Sequence, residues 1–186
     1  MNTTEYARRI AAELEYTLSR VDADAAEALA DAILGAGKVF VAGAGRSGFA
    51  AKAFAMRLMH LGFNTFVVGE TTTPDLAPGD LLFIASGSGE TGSLVVMARK
   101  ARSIGAKLAT ITVRPEGTIA SLADVVVRVP APTPKVDTGD GFTSIQPMGS
   151  LFEQSAFVYL DAVVMRLMER LGTDSHRMFE HHANLE

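Results

Sequence analysis

The segment 86–91, SGSGET, places hydroxyl side chains and glycines between an apolar run and a sequence with helical periodicity. The first turn of a helix offers free N–H groups and the positive end of the helix dipole, and together these bind anions. Ser86, Ser88 and Thr91 add hydroxyl donors, and Gly87 and Gly89 let backbone N–H groups converge. A helix cap needs only one such residue. The pattern therefore predicts a site for the phosphate group of a small molecule.

A second glycine-rich segment, GAGRSG at 43–48, has the G-x-G-x-x-G spacing of dinucleotide-binding loops, and Glu70 stands where a ribose-binding acid would follow. Any tight strand-to-helix turn selects glycine, however, and no separate substrate domain follows. We therefore expect a substrate loop and no cofactor, with a nicotinamide dehydrogenase as the alternative.

Ser47 is expected to hydrogen-bond the substrate and Arg46 to support its phosphate or an oxyanion. The alternatives are a helix cap for Ser47 and a surface ion pair for Arg46. The Walker pattern is absent, which argues against triphosphate cleavage.

Glu153 is the candidate for acid–base chemistry, because it falls in the first turn of a predicted helix after the long irregular segment 130–149. Long irregular segments in compact domains are more often functional than idle. A carboxylate can move a proton between neighbouring carbons of a hydroxyketone through an enediol. The alternative is a capping box, in which Ser150 caps the helix and Glu153 bonds back to it. The sequence leaves both interpretations open.

The histidines give weaker signals. His60 lies on the helix predicted after GAGRSG and is by itself typical of a surface or interface position. His181 and His182 follow Glu180 near the C-terminus, where they could bind a metal or reach the site of a neighbouring subunit. The four histidines lack the spacing of known metal motifs, and there is no cysteine. We expect no metal.

The composition indicates one globular domain. The chain has 186 residues, of which 48% are apolar and 20% charged, and its net charge is −4. Lysine and arginine are scattered, which argues against a nucleic-acid or anionic-membrane surface. The start is polar and amphipathic, unlike a secretory signal, and no apolar run approaches the ~18 residues of a membrane span. We expect a cytoplasmic protein that contacts neither nucleic acid nor membrane.

The chemical segments are separated by alternating strands and helices. Apolar, β-branched runs predict strands, and apolar residues at helical spacing predict helices. The predicted strands are 38–42, 64–69, 81–85, 107–113 and 124–130, and the predicted helices are 3–20, 22–35, 47–61, 91–104, a short one at 118–123, and 150–171. This alternation predicts a mostly parallel sheet with helices on both faces. Ligands bind beyond the carboxyl ends of such strands, where both glycine-rich segments lie.

Taken together, GAGRSG with MRLMHLGF, VVGETTTP, SGSGET, SIQPMGSLFEQ and MFEHHANLE closely resemble the 6-phospho-3-hexuloisomerase family of sugar isomerase (SIS) domains. SGSGET alone indicates only the broader SIS family. The resemblance runs over essentially the whole chain and implies a single SIS domain over 1–186. It also implies a flavodoxin- or Rossmann-like three-layer α-β-α sandwich with a five-stranded parallel sheet, usually assembled as a tetramer with active sites near subunit contacts.

The implied reaction interconverts 3-hexulose 6-phosphate and fructose 6-phosphate in the ribulose monophosphate pathway of formaldehyde fixation. By the same resemblance, Ser47 and the segment 86–91, including Glu90, hold the substrate. Glu153 is implied as the proton acceptor and His60 as an acid or polarising group. Two other functions remain open: a different phosphosugar aldose–ketose isomerase, and a non-catalytic sugar-phosphate-binding module.

Overall fold

A five-stranded parallel sheet lies at the centre of the computed structural model, which describes residues 1–134, 136, 139 and 141–185. The strand order is β2-β1-β3-β4-β5, and every pairing is parallel. The strands are β1 (Val39–Gly43), β2 (Thr65–Val67), β3 (Leu81–Ala85), β4 (Lys107–Thr112) and β5 (Val125–Arg128). β3 is buried along its whole length, as expected for a central strand of continuous apolar sequence.

Helices cover both faces of this sheet and complete the predicted three-layer sandwich. They are α1 (Thr3–Leu18), α2 (Ala23–Leu34), α3 (Gly45–His60), α4 (Gly92–Ile104), α5 (Thr118–Leu122), α6 (Ser150–Leu171) and α7 (Ser175–Phe179). One core cluster joins the sheet to α2, α3 and α6 through side chains such as Ile33, Phe54 and Phe152. The other joins it to α4 and α5 through Leu94 and Ile119. The predicted fold class is confirmed.

Some element boundaries differ from those predicted. β2 is an edge strand of three residues, shorter than the predicted 64–69, and Gly69 at φ +98° turns the chain away from the sheet. α3 begins at Gly45, two residues earlier than expected. Asp22 caps α2, because its side chain accepts a hydrogen bond from the Asp24 N–H. In the described part of the chain, no helix has both the length and the apolar character of a membrane span.

Candidate active site

A cavity of about 250 Å³ opens at the carboxyl ends of β1 and β3. Both glycine-rich segments and the start of α6 line it. The lining side chains and backbone include Ala44, Ser47, Ser86, Gly87, Ser88, Thr91, Met148, Gly149, Phe152 and Glu153. This is the edge at which open parallel sheets bind ligands.

Helix α3, helix α4 and helix α6 all begin at this cavity. Their N-cap residues are Ala44, Thr91 and Gly149, and none of them makes a side-chain capping hydrogen bond. By contrast, Asn2 and Asp22 cap α1 and α2 with their side chains. An uncapped N-terminus leaves N–H groups and positive dipole charge available to a ligand. Three such N-termini at one cavity are an arrangement that favours an anionic ligand.

The 86–91 loop is folded by its own side chains. The Gly89 N–H donates to Ser86 Oγ at 3.2 Å, and the Glu90 N–H donates to Ser88 Oγ at 3.3 Å. Gly89 adopts φ +66°, a conformation that favours glycine. A Cβ atom on Gly87 would lie 2.9 Å from the Phe152 ring, so only glycine fits between the loop and α6. The loop is thus a preformed cradle at the start of α4.

The GAGRSG segment brings β1 and α3 into close contact. A Cβ atom on Gly43 would lie 2.8 Å from Gly48 Cα, and one on Gly48 would lie 2.7 Å from Gly43 O. Gly45 adopts φ +56°. These glycines therefore allow the first turn of α3 to pack on the strand end, which places Ser47 in the cavity.

Glu153 faces the cavity and forms an ion pair with Arg46. The Arg46 Nε–H donates to Glu153 Oε2 at 2.5 Å, and the Glu153 side chain is 18% exposed whereas that of Arg46 is 64% exposed. Helix α6 is capped by Gly149, so the capping box with Ser150 does not form. The Glu153 carboxylate is therefore available to a bound ligand, with a guanidinium fixing its orientation.

A family model described as SIS domain matches residues 32–157 of the chain. The chain belongs to the SIS domain family. A protein from Bacillus subtilis (strain 168) named 3-hexulose-6-phosphate isomerase is 51% identical over 186 residues, which cover 100% of each chain. A protein of the same name from Mycobacterium gastri is 45% identical over 94% of this chain and 86% of its own length.

A solved structure of a hypothetical protein from Methanococcus jannaschii is also similar. It has a TM-score of 0.83 and 34% sequence identity, over 98% of this chain and 99% of the other. That crystal structure was taken to infer a molecular function of 3-hexulose-6-phosphate isomerase.

In this SIS domain, most of the residues predicted from the sequence meet in one cavity. The cavity is lined by Ser47, Ser86, Gly87, Ser88, Thr91 and Glu153, and Arg46 contacts it through Glu153. Glu90 points elsewhere: its Oε1 accepts a hydrogen bond from the Thr118 N–H at 2.7 Å, at the start of α5. The hydrogen bonds with Thr118 hold the pKa of Glu90 below its usual value. Glu90 thus ties the 86–91 loop to α5.

His60 lies at the other end of α3, about 20 Å from Ser47 along the helix axis at 1.5 Å per residue. It is buried, lines a second cavity with Arg57 and Asp161, and stacks on His182 with ring centroids 5.5 Å apart. Burial is the main cause that lowers the pKa of His60, and the Arg57 charge adds to it. Within one chain, His60 and Glu153 therefore belong to separate cavities.

Met148 and Gly149 are functional candidates that sequence reasoning did not single out. The segment 130–149 was expected to be functional as a whole, and Thr133, Pro134 and Val136 from it do line the cavity. Met148 has φ +58°, which is uncommon for a side chain of this size. The sequence gives no signal for the position of Met148, because residues of any type can precede a helix in a proline-containing loop. Lys135, Asp137, Thr138 and Asp140 of this segment lie outside the described residues.

Among the described residues, no group of three or more His, Asp or Glu side chains is arranged to hold a metal ion. His182 stacks on His60 and Phe179 and packs in the second cavity.

Proposed function

We propose that the protein is a 3-hexulose-6-phosphate isomerase, which interconverts 3-hexulose 6-phosphate and fructose 6-phosphate in the ribulose monophosphate pathway. One observation carries the proposal: a single cavity is lined both by the hydroxyl groups of the 86–91 loop, at the N-terminus of α4, and by the carboxylate of Glu153. The names of the relatives from Bacillus subtilis and Mycobacterium gastri support the choice of a 3-ketohexose.

The phosphate group binds at the start of α4. Ser86, Ser88 and Thr91 supply hydroxyl groups, and the first turn of the helix supplies backbone N–H donors. Ser47, at the start of α3, contacts the sugar. The phosphate is remote from the reacting carbons, so its binding energy holds the hydroxyketone in position beside Glu153.

Glu153 moves the proton between carbons. From 3-hexulose 6-phosphate it takes the proton on C2, and the electrons of that bond form an enediolate with the C3 carbonyl. Glu153 then returns the proton to C3, while the proton on O2 passes to O3 and C2 becomes the carbonyl. The reaction needs no oxidant or reductant, since substrate and product are isomers. Arg46 orients the carboxylate and lies close to the developing negative charge.

We propose a homo-oligomer, with a tetramer as the expected form. Exposed apolar side chains on the outer faces of α3 and α6 support this, because monomers rarely leave such patches uncovered. They include Phe49, Met56, Phe157, Val158 and Met165. Since His60 lies about 20 Å from Ser47 along α3, it can polarise an enediolate only in the pocket of another subunit. His182 stacks on His60, so it too can act only in the pocket of another subunit.

The single SIS domain over 1–186 and a cytoplasmic location complete the proposal. The N-terminal helix α1, which precedes the region matched by the family model, packs on α6 and extends the same fold. A phosphorylated sugar carries charge and crosses membranes poorly, so the protein is expected in the compartment where its substrate is made, which we propose to be the cytoplasm.

Proton exchange by NMR tests the reaction. Fructose 6-phosphate is incubated with the protein in deuterated water, and exchange at each carbon is followed together with new keto signals. Exchange at C3 with a 3-ketose is the expected result. Exchange at C1 would instead make the protein an aldose–ketose isomerase. Binding without exchange at any carbon would make it a sugar-phosphate-binding module.

A further inference from the structure

Glu13, in the middle of α1, forms hydrogen bonds with a segment more than a hundred residues away in the sequence. Its Oε1 accepts the Ile145 N–H at 2.8 Å. Its Oε2 accepts the Ser144 hydroxyl at 2.7 Å and the Gln146 side-chain N–H at 3.0 Å. Ser144 Oγ in turn accepts the Gln146 backbone N–H at 3.0 Å. We name residues 142–146 the anchor segment.

Other contacts join the anchor segment to the same face of α1. The ring of Tyr16, one turn after Glu13, lies 4.5 Å from that of Phe142 between centroids. Phe142 and Leu14 also pack against the main core cluster. The anchor segment has no regular secondary structure, so its backbone donors depend on partners such as the Glu13 carboxylate.

Glu13 is suited to this role because its carboxylate is an acceptor at both oxygens. Burial raises its pKa, but the hydrogen bonds from Ile145, Ser144 and Gln146 and the charge of Arg9 lower it by more, so the net shift is downward. The ionised form, which accepts all of these bonds, is therefore the one the fold favours. Hydrogen bonds to a charged group are stronger than those between neutral groups.

The anchor segment leads directly to the wall of the candidate active site. After Gln146 the chain passes through Pro147 to Met148 and Gly149, which line the cavity. The Ser150 N–H donates to the Pro147 carbonyl at 3.2 Å, and the strained φ of Met148 turns the chain into α6. Glu13 itself does not line the cavity, so any effect on the reaction must pass through this segment.

We propose that Glu13 is a positioning residue for the isomerisation: by holding the anchor segment on α1, it fixes Met148 and Gly149 as the outer wall of the pocket. The inference rests on the proposed function of that pocket. Glu153 is held independently, because its neighbours Leu151 and Phe152 are buried in the core. Loss of Glu13 therefore loosens the wall around the substrate while the base stays in place.

The test compares Glu13→Ala with Glu15→Ala, a matched control two residues along the same helix whose side chain is exposed. For Glu13→Ala the KM for fructose 6-phosphate in the C3 exchange assay rises about 10-fold, while kcat per folded protein changes by less than about 3-fold. Glu13→Gln keeps one acceptor oxygen and gives an intermediate KM. Glu15→Ala matches the wild type.

Hydrogen exchange of the free protein gives a readout that does not depend on turnover. The Ile145 amide exchanges at least about 10-fold faster in Glu13→Ala, while the amide of the buried Leu160 in α6 is unchanged. A purely structural role would instead lower the amount of active protein, which reduces apparent kcat at constant KM.

The proposal is overturned if Glu13→Ala matches Glu15→Ala in KM, or if kcat falls while KM stays constant. If Glu13→Ala does not fold, the Ser144→Ala/Gln146→Ala double variant removes the two side-chain bonds to Glu13 Oε2 and leaves only the bond from the Ile145 N–H. An unchanged KM in that variant also overturns the proposal. A wild-type protein that gives no exchange at C3 would refute the proposed function instead, so the two failures are distinguishable.

Discussion

Replacing Gly87 by alanine tests whether the 86–91 loop is held by direct contact with α6. A Cβ atom at this position would lie 2.9 Å from Phe152 Cδ1 and 3.2 Å from Cε1. Carbon atoms in contact normally lie about 3.5–4.0 Å apart, so the loop and the ring must separate by about 0.5 Å or more. Phe152 is 1% exposed and packed in the core, so the ring has little space to move into.

The magnitude follows from this overpacking. An extra methyl group in a well-packed site costs about 1–3 kcal/mol. In a chain of this size, 1 kcal/mol corresponds to about 2–4 °C, so Tm falls by about 2–12 °C. Because Phe152 precedes Glu153 on α6 and Gly87 lies in the proposed phosphate site, we also expect the KM for fructose 6-phosphate to rise about 10-fold.

Calorimetry and the C3 exchange assay measure the two effects. Gly92→Ala is the matched control for stability, because a Cβ atom at Gly92 meets nothing within 4 Å and its φ is not positive. Its Tm should rise by about 1–4 °C, because alanine at a compatible position restricts the unfolded chain. Equal Tm values for Gly87→Ala and Gly92→Ala would refute the steric argument and with it the close contact between the loop and α6.

Three further changes test single contacts. Arg46→Ala should lower kcat about 10- to 100-fold in the exchange assay, since Glu153 loses the guanidinium that orients it, and an unchanged kcat would exclude that role. Glu90→Gln should reduce stability above the ordinary carboxylate pKa of 4.5, because only the ionised form of Glu90 carries the strengthened bond to Thr118. The difference from the wild type should disappear as the pH falls through the lowered pKa of Glu90. Urea midpoints at several pH values would show this, and a pH-independent difference would contradict it. Met148→Gly should be about 1 kcal/mol more stable than Met148→Ala in urea unfolding, because glycine adopts the φ of +58° more easily than alanine. An alanine variant more stable than the glycine variant would show that this backbone conformation is not kept.

Much of the fold could be predicted because the strands contain short apolar or β-branched runs, most of them with glycine or proline nearby. β3, for example, is buried throughout and is apolar throughout, so its sequence determines its place. The ends of β2 could not be predicted, because an edge strand pairs on one side only and its length depends on where Gly69 turns the chain. Local periodicity carries no information about that pairing.

The parts of the candidate site that depend only on neighbouring residues in the sequence could be predicted. The glycines of 43–48 and 86–91 and the hydroxyl groups beside them form a cradle wherever a strand passes into a helix. The direction of the Glu90 side chain was not predictable, because it depends on α5 lying beside the loop. Glu13 gave no signal at all, since its partners in the anchor segment are brought to it only by the tertiary fold. The distance of His60 from Ser47, however, follows from the length of one helix.

C3 proton exchange of fructose 6-phosphate in deuterated water, measured for the wild type and for Glu153→Gln, tests the proposed reaction and its base together. We expect the wild type to exchange the C3 proton and to form a 3-ketose. We expect Glu153→Gln to lose this exchange by at least about 100-fold while still binding the sugar phosphate. Near-normal exchange in Glu153→Gln would contradict the role of Glu153, because the proton would then be moved by another group.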